Sequence, residues 1–190
     1  MQTDWSVACG SGDPTVAVPW ASADGTLQYI DLRETPQRIG EIPEAALHPC
    51  IHAALLRWNR SDSPCFTAKC DVWRYPARLY DAEDLPGFAH AQACYVDLLS
   101  RDASAFSQFS VAETLLKTLS RLAGRVPAAA ARSEWILRPA YLFSGGEPVP
   151  GFATTLYVWG YSDSPDAAER AWAAALEALI EPVLLQKSGT

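Results

Sequence analysis

The segments LPGFAHAQACYVD at positions 85–97 and VPGFATTLYVWGY at positions 149–161 open in the same way. In each of them Pro-Gly-Phe-Ala leads into a run of alternating side chains, which is the pattern of a half-buried strand. Pro-Gly is typical of a turn, because glycine adopts a positive φ without steric cost. We therefore predict that each segment is the second strand of a hairpin and is entered through a Pro-Gly turn.

Both segments also have similar neighbours along the chain. A strand-like run precedes each one, CFTAKCDVW at 65–73 and SEWILRPAYLF at 133–143. A helix follows each one. Ser110 and Glu113 form a predicted capping box for the first helix, and Ser164 caps the second with Pro165 at its first position. The repeated unit is strand, loop, strand, helix.

This unit predicts internal repeats at about 66–124 and 133–185, in which the hairpins 66–99 and 133–161 superimpose. A looser third copy is predicted at 15–59, where TVAVPW, a turn at Asp24-Gly25 and LQYIDL form a hairpin. Its helix begins at Pro43 or Pro49 and carries an apolar stripe at helical spacing. The members of that stripe are Leu47, Ile51, Ala54, Leu55 and Trp58.

These elements predict one α+β domain over residues 1–190. We expect a largely antiparallel sheet of about six strands with three helices on one face. The order of the elements contains a ferredoxin-like arrangement, and it also permits a duplicated-module arrangement that binds small molecules in a central groove. A fold-level analogy of this kind does not fix a function.

Composition excludes some partners and suggests a compartment. The 190 residues carry a formal net charge of −7, which argues against nucleic acid or an anionic membrane as a partner. The chain start has no apolar run, and the most apolar tract, AWAAALEALIEPVLL, is interrupted by Glu177 and Glu181. Five cysteines are an odd number, which favours a reducing compartment. We predict a cytoplasmic protein.

One face of the sheet is predicted to be unusually aromatic. Period-two alternation directs Tyr157, Trp159 and Tyr161 to the same face, and the internal repeat adds Tyr95. On the partner strand Thr67, Lys69, Asp71 and Trp73 share one parity, so the ring of Trp73 joins if the register permits. The predicted ligand-binding residues are Trp73, Tyr95, Tyr157, Trp159 and Tyr161 with the carboxylates Asp71 and Asp97.

Five exposed rings would form too large a patch for a monomer. Each aromatic side chain buries roughly 150–250 Å², whereas the largest apolar patch of a monomer is normally about 300–600 Å². A small aromatic or cationic ligand, a second subunit, or the long loop RYPARLYDAEDLPG at 74–87 is expected to cover them. That loop suits a lid, and it also reads as a solvated connection.

Candidate catalytic and metal-binding motifs are weak. His48, Cys50 and His52 supply at most two ligands on one helix edge, and neither His90 nor a carboxylate is specified as a third, so we predict no metal and no cofactor. No nucleophile elbow or phosphate-binding loop is present in the sequence. Asp71 and Asp97 would form a carboxylate pair if their strands were neighbours, with one of them acting as a general acid.

Three functions remain. The sequence favours a non-enzymatic module that binds a small molecule against the aromatic face. The alternative is a protein-interaction or homodimerisation module whose aromatic face is the subunit interface. The third is an enzyme with an Asp-based acid/base site.

Overall fold

The computed structural model describes residues 1–75, 87–143 and 145–185. The strands are β1 (Gln2–Val7), β2 (Val16–Val18), β3 (Cys65–Tyr75), β4 (His90–Ser100), β5 (Ala131–Leu142) and β6 (Val149–Ser162). A 3₁₀ helix spans Pro36–Glu41. The α-helices are α1 (Pro43–Leu47), α2 (Pro49–Asn59), α3 (Ala103–Ser107), α4 (Phe109–Ala123) and α5 (Pro165–Leu184).

The strands form one mixed sheet in the order β1-β5-β6-β4-β3. The pairs β3–β4, β4–β6 and β5–β6 are antiparallel, whereas β1 and β2 both run parallel to β5 along its outer edge. The α+β class and the sheet of about six strands are therefore confirmed, and the largely antiparallel sheet is corrected to a mixed one. β5 is 12 residues long, so β1 and β2 can share its edge and satisfy its backbone groups.

The hairpin predicted from TVAVPW and LQYIDL is wrong. β2 pairs with β5 instead, in the register Val16 opposite Ala140. The predicted turn does form: Gly25 has a φ of +72°, and Ser22 N–H donates to Leu27 O at 2.9 Å. This turn closes only the isolated antiparallel bridge between residues 21 and 28. The third repeat copy thus lacks its predicted strand pairing.

The two Pro-Gly-Phe-Ala copies adopt different backbones. Gly87 has a φ of +115° and lies just before β4, as predicted for a turn. Gly151 lies inside β6 opposite Ala140, so the turn predicted there is wrong. A Cβ on Gly151 would stand 2.4 Å from the ring of Phe106, which shows that glycine is needed there for close packing. The superimposable repeats stay a prediction.

Helix ends follow the sequence in part. Ser164 caps α5, accepting a hydrogen bond from Ala167 N–H at 3.4 Å. The capping box of Ser110 and Glu113 is wrong, because α3 runs almost directly into α4 and Ser110 falls inside the first turn of α4. Pro43 and Pro49 each begin a helix. Leu47, predicted on the buried stripe, is 75% exposed.

The main hydrophobic core lies between the sheet and the helices α2, α4 and α5. Its largest fully buried side chains are Trp58, Trp135, Trp172, Ile51, Leu55, Leu116, Leu119, Leu137, Leu156 and Leu176. α5 approaches β6 so closely that a Cβ on Gly160 would stand 2.0 Å from the backbone nitrogen of Trp172. This packing occupies one face of the sheet and directs the alternate side chains of β3 to β6 to the other face.

Candidate functional site

Four of the predicted rings form a continuous cluster on the face opposite the helices. Tyr95 of β4 lies directly opposite Tyr157 of β6, with ring centroids 5.7 Å apart. Trp159 stacks on Tyr157 at 5.6 Å. Trp73 of β3 completes the cluster, 6.3 Å from Tyr95 and 6.3 Å from Tyr157. Each of these rings is half-buried, so the cluster is an accessible aromatic surface.

A β-bulge in β3 decides which side chains share the face with these rings. The pairing of β3 with β4 shifts register between Thr67 and Cys70. An extra residue in a strand reverses the facing of everything beyond it. Asp71 and Trp73 therefore lie on the aromatic face, while Thr67 lies on the helix side, where its hydroxyl accepts from Asn59 Nδ2 at 2.7 Å. The grouping of Thr67 with Asp71 and Trp73 by parity was wrong for Thr67.

Tyr161 shares the face and adjoins the cluster through Trp159, but unlike the four rings of the cluster it is buried. Its side chain is only 1% exposed, and its ring stacks on Phe88 at 6.3 Å. Together with Ala91 it forms a small buried cluster at one end of the sheet. Its contacts are those of a core residue.

Next to the rings on the same face, a row of polar side chains crosses the four strands β3, β4, β6 and β5. Asp97 of β4 lies opposite Thr155 of β6, whose hydroxyl donates to Asp97 Oδ1 at 2.6 Å. Arg138 of β5 donates from Nε to the same hydroxyl oxygen at 3.1 Å. Lys69, in the bulge of β3, adds a second positive charge near Asp97. Among the described residues, no donor contacts the second carboxylate oxygen of Asp97.

Burial dominates the acidity of Asp97. The side chain is only 7% exposed, and this burial raises its pKa to about 6. The hydrogen bond from Thr155 and the charges of Arg138 and Lys69 act in the opposite direction. Burial also raises the pKa of the Tyr95 hydroxyl, and the neighbouring Asp97 and Asp71 add to the effect. The row thus holds a carboxyl group that titrates closer to neutrality than an exposed aspartate.

A cavity of about 380 Å³ lies over this row. Its floor is formed by Lys69, Tyr95, Asp97, Arg138, Thr155 and Tyr157, and its roof by residues 14–17, Trp20 and Ala21. The roof is held by Trp20, whose indole N–H donates to Ala68 O at 2.8 Å, and by the packing of Val16 and Val18 on Phe66. The N-terminal segment therefore covers the part of the aromatic face that carries the polar row.

Of the predicted site residues, Tyr95, Asp97 and Tyr157 line this cavity, whereas Asp71, Trp73, Trp159 and Tyr161 do not; Asp71 has a different environment. It lies opposite Tyr95 in the register but is exposed, and its Oδ1 accepts from the N–H of Val72 at 2.8 Å. It lines instead a second cavity of about 500 Å³ along the outer edge of β3. The two cavities share Trp20, Ala21 and Lys69. The carboxylate pair of Asp71 with Asp97 is thus divided between two environments.

Sequence reasoning missed Arg138, Thr155 as a hydrogen-bonding residue, and Trp20. A signal for Arg138 was present, because it alternates with the buried Trp135 and Leu137 and so belongs to the aromatic face. No local signal pointed to Trp20, since its position depends on the pairing of β2 with β5. Of the predicted 74–87 loop, Arg74 and Tyr75 end β3, and residues 76–86 lie outside the described residues.

In the motif of His48, Cys50 and His52, the ring of His48 packs against helix α5. His48 precedes α2 as its N-cap residue, and its ring meets Trp172 edge-on at 5.3 Å. Its Nδ1 lies 3.6 Å from Glu169 Oε1. Within the described ranges no group of three or more His, Cys, Asp or Glu side chains is arranged to hold a metal ion.

All five cysteines are free thiols. Cys50, Cys65 and Cys94 are buried, and burial raises the pKa of the Cys94 thiol to about 12. Cys9 is the exposed one. The buried thiols thus act as small apolar side chains within the core.

Comparison of the chain with protein-family models, curated proteins and solved structures gives no match. Among the helices in the described ranges, none combines the length and apolar character needed to cross a bilayer. The fold and site define an α+β sheet protein with a roofed cavity over a buried carboxylate.

Proposed function

We propose that this protein is a non-enzymatic binding module that takes a small organic molecule with a planar body into the cavity over Asp97. The observation that carries this proposal is the state of Asp97 itself. One carboxylate oxygen accepts from Thr155, and in the described part of the chain the other has no donor, although the side chain is only 7% exposed. Asp97 lines the cavity, so a donor on a bound ligand would supply a second hydrogen bond to this carboxyl group in surroundings that exclude most water.

The size and the walls of the cavity support the same proposal. Its volume of about 380 Å³ is at the small end of the range of ligand pockets, which is about 300–1,000 Å³. Tyr95 and Tyr157 lie side by side in its floor, and Trp20 closes its roof. Flat aromatic walls with a few convergent polar groups suit a planar ligand.

A ring substitution with a matched control tests the proposal. Indole serves as the planar probe, and its binding is followed by chemical-shift changes of the tyrosine rings. The wild type is expected to show saturable changes, and Tyr157→Leu is expected to lose them because the ring surface is removed. Tyr141→Leu removes a ring that is 40% exposed near the end of β5 and should bind indole like the wild type. Unchanged binding in Tyr157→Leu would count against the cavity.

The homodimer is the second candidate, and the half-buried Trp73 and Trp159 favour it. Aromatic side chains are enriched in subunit interfaces. Sedimentation over a series of protein concentrations tests it: a dimer in the wild type that becomes a monomer in Trp73→Glu would support the interface. A wild-type monomer at every concentration would exclude it.

The third candidate, an acid/base enzyme, rests on the pKa of about 6 of Asp97. A carboxyl group of this pKa can donate a proton near neutral pH. An enzyme is distinguished from a binding module by chemical conversion of a small molecule that the purified protein retains, which mass spectrometry would detect. That change should be absent in Asp97→Asn if the carboxyl group is the acid.

We propose that the protein acts in the cytoplasm. The five free thiols support it, because disulfides form and persist mainly in oxidising compartments. The net charge of −7 supports a partner other than nucleic acid.

A further inference from the structure

The cavity floor has two positive charges for one negative charge. Arg138 and Lys69 both line it, and Asp97 is the acid that faces them. Asp71 and Glu134 lie one row away, opposite Tyr95 and Tyr157, and neither lines this cavity. With Asp97 ionised, the floor has a net charge of +1, and with Asp97 protonated its net charge is +2.

The hydrogen bonds of the row leave specific groups for a ligand. The Thr155 hydroxyl is used twice, since it donates to Asp97 and accepts from Arg138 Nε. Among the described residues, nothing accepts from the two terminal nitrogens of Arg138. Lys69 likewise has no carboxylate partner there, and its ammonium group lies 5.2 Å from the centre of the Trp20 ring. The floor therefore offers one free carboxylate oxygen between two cationic donors.

A simple cation fits this arrangement poorly. It would pair with Asp97, but Arg138 and Lys69 would repel it at short range in a partly desolvated site. A simple anion would meet the two cations but would leave the free oxygen of Asp97 without a donor. A molecule that carries both an anionic and a cationic group would pair with Arg138 and Lys69 through the first and with Asp97 through the second.

Resting on the proposed function, we infer that the ligand of this cavity is amphoteric: it carries a carboxylate for Arg138 and Lys69, a hydrogen-bond donor for Asp97, and a planar body for Tyr95 and Tyr157. This is the chemistry of an aromatic amino acid or a close analogue. The guanidinium fork of Arg138 suits a carboxylate because its terminal nitrogens can donate in parallel.

Three indole derivatives that differ by one charged group test the inference. Tryptophan carries both groups, indole-3-propionate carries only the carboxylate, and tryptamine carries only the ammonium. Dissociation constants are measured at neutral pH by isothermal titration calorimetry, with chemical-shift changes of Tyr95 and Tyr157 to locate binding. We expect tryptophan to bind most tightly and tryptamine most weakly.

Arg138→Gln should weaken tryptophan and indole-3-propionate by roughly 10–100-fold, the loss expected for a charge-assisted hydrogen bond, and should leave tryptamine unweakened. Arg60→Gln is the matched control, because Arg60 is exposed and pairs with Asp62 outside the cavity. Lys69→Met is the second variant. Its side chain is exposed, so the fold should tolerate the change while the carboxylate probes still bind more weakly.

Each other outcome has a definite meaning. Tryptamine binding as tightly as tryptophan, with no effect of Arg138→Gln or Lys69→Met, would overturn the inference and leave the binding module standing as a cation site. Equal binding of tryptophan and indole-3-propionate would show that the ammonium group gains nothing from Asp97, and it would overturn the amphoteric ligand in favour of a simple carboxylate. If neither indole nor any of the three derivatives perturbs the tyrosine rings, the proposed function fails with it.

Discussion

Asp97→Asn should make the protein more stable at neutral pH and leave its stability unchanged in acid. Burial raises the pKa of Asp97 from 3.8 to about 6, so the folded state binds this proton more tightly than the unfolded state does. Below 3.8 the carboxyl group is protonated in both states, and its burial involves no charge. Between pH 3.8 and about 6 the unfolded state loses this proton while the folded state keeps it, so the free energy of unfolding falls across that window. It levels off above about 6, where the carboxyl group is ionised in both states.

The magnitude follows from the same shift. A tenfold change in proton affinity corresponds to about 1.4 kcal/mol, so ionised Asp97 lowers the free energy of unfolding by roughly 3 kcal/mol. Asparagine keeps an oxygen that accepts from the Thr155 hydroxyl, and it carries no charge at any pH. The variant should therefore exceed the wild type by up to about 3 kcal/mol above the folded-state pKa and by nothing below the unfolded-state pKa.

Urea unfolding of both proteins across this pH range measures the difference in their free energies of unfolding. The other titrating groups are common to both proteins, so their contributions cancel in that difference. Asp71→Asn, an exposed change on the same face, is the control, and it should alter stability by no more than about 0.5 kcal/mol. A difference between Asp97→Asn and the wild type that does not grow with pH would refute the reasoning. It would show that the carboxylate is solvated or paired in the folded protein.

Three further predictions concern packing and reactivity. Trp159→Ala should lower the free energy of unfolding by much less than the about 3–5 kcal/mol expected for Trp135→Ala, because Trp159 is half-buried and Trp135 is fully buried. Urea unfolding of the two variants compares these losses, and equal losses would show that the aromatic face is part of the core. Gly160→Ala should destabilise the protein by about 3 kcal/mol or more, since its Cβ would meet the α5 backbone at 2.0 Å. Gly146→Ala is the control, because a Cβ there has open space, and its melting temperature should change little. Equal shifts of the melting temperature in the two variants would contradict this packing. A thiol reagent should label the exposed Cys9 first in the native protein, and should label the buried Cys50, Cys65 and Cys94 only on unfolding. Labelling of any of these three at the rate of Cys9 would disprove their burial.

Much of the sheet was predictable because its signals are local. Alternation along 153–161 was sufficient to direct Tyr157 and Trp159 to one face, and that facing depends only on the period of an extended chain. The cap at Ser164 was equally local, since a serine side chain reaches the N–H groups of its own helix turn. Where a neighbouring element intervened, local signals misled: α3 displaced the predicted capping box at Ser110.

The candidate site was predictable only in its aromatic half. Asp97 was identified with the rings, but its burial and its raised pKa arise only in the folded chain, where residues 14–17, Trp20 and Ala21 lie across the cavity from it. The facing of Trp73 depended on the bulge in β3, which no turn or glycine in CFTAKCDVW indicates. Arg138 became a site residue only once β5 was paired with β6.

The sequence by itself therefore determined the four strands β3 to β6, the helices α2, α4 and α5 and the aromatic face, because helical and strand periods are properties of a few consecutive residues; it did not indicate β1. The tertiary structure decided what lies over that face. β2 pairs in parallel with β5 and carries Trp20 across the sheet, where it closes a cavity over Asp97. Strand pairing between residues more than a hundred positions apart is selected by the total burial and hydrogen bonding of the folded chain, and no short stretch of sequence records it.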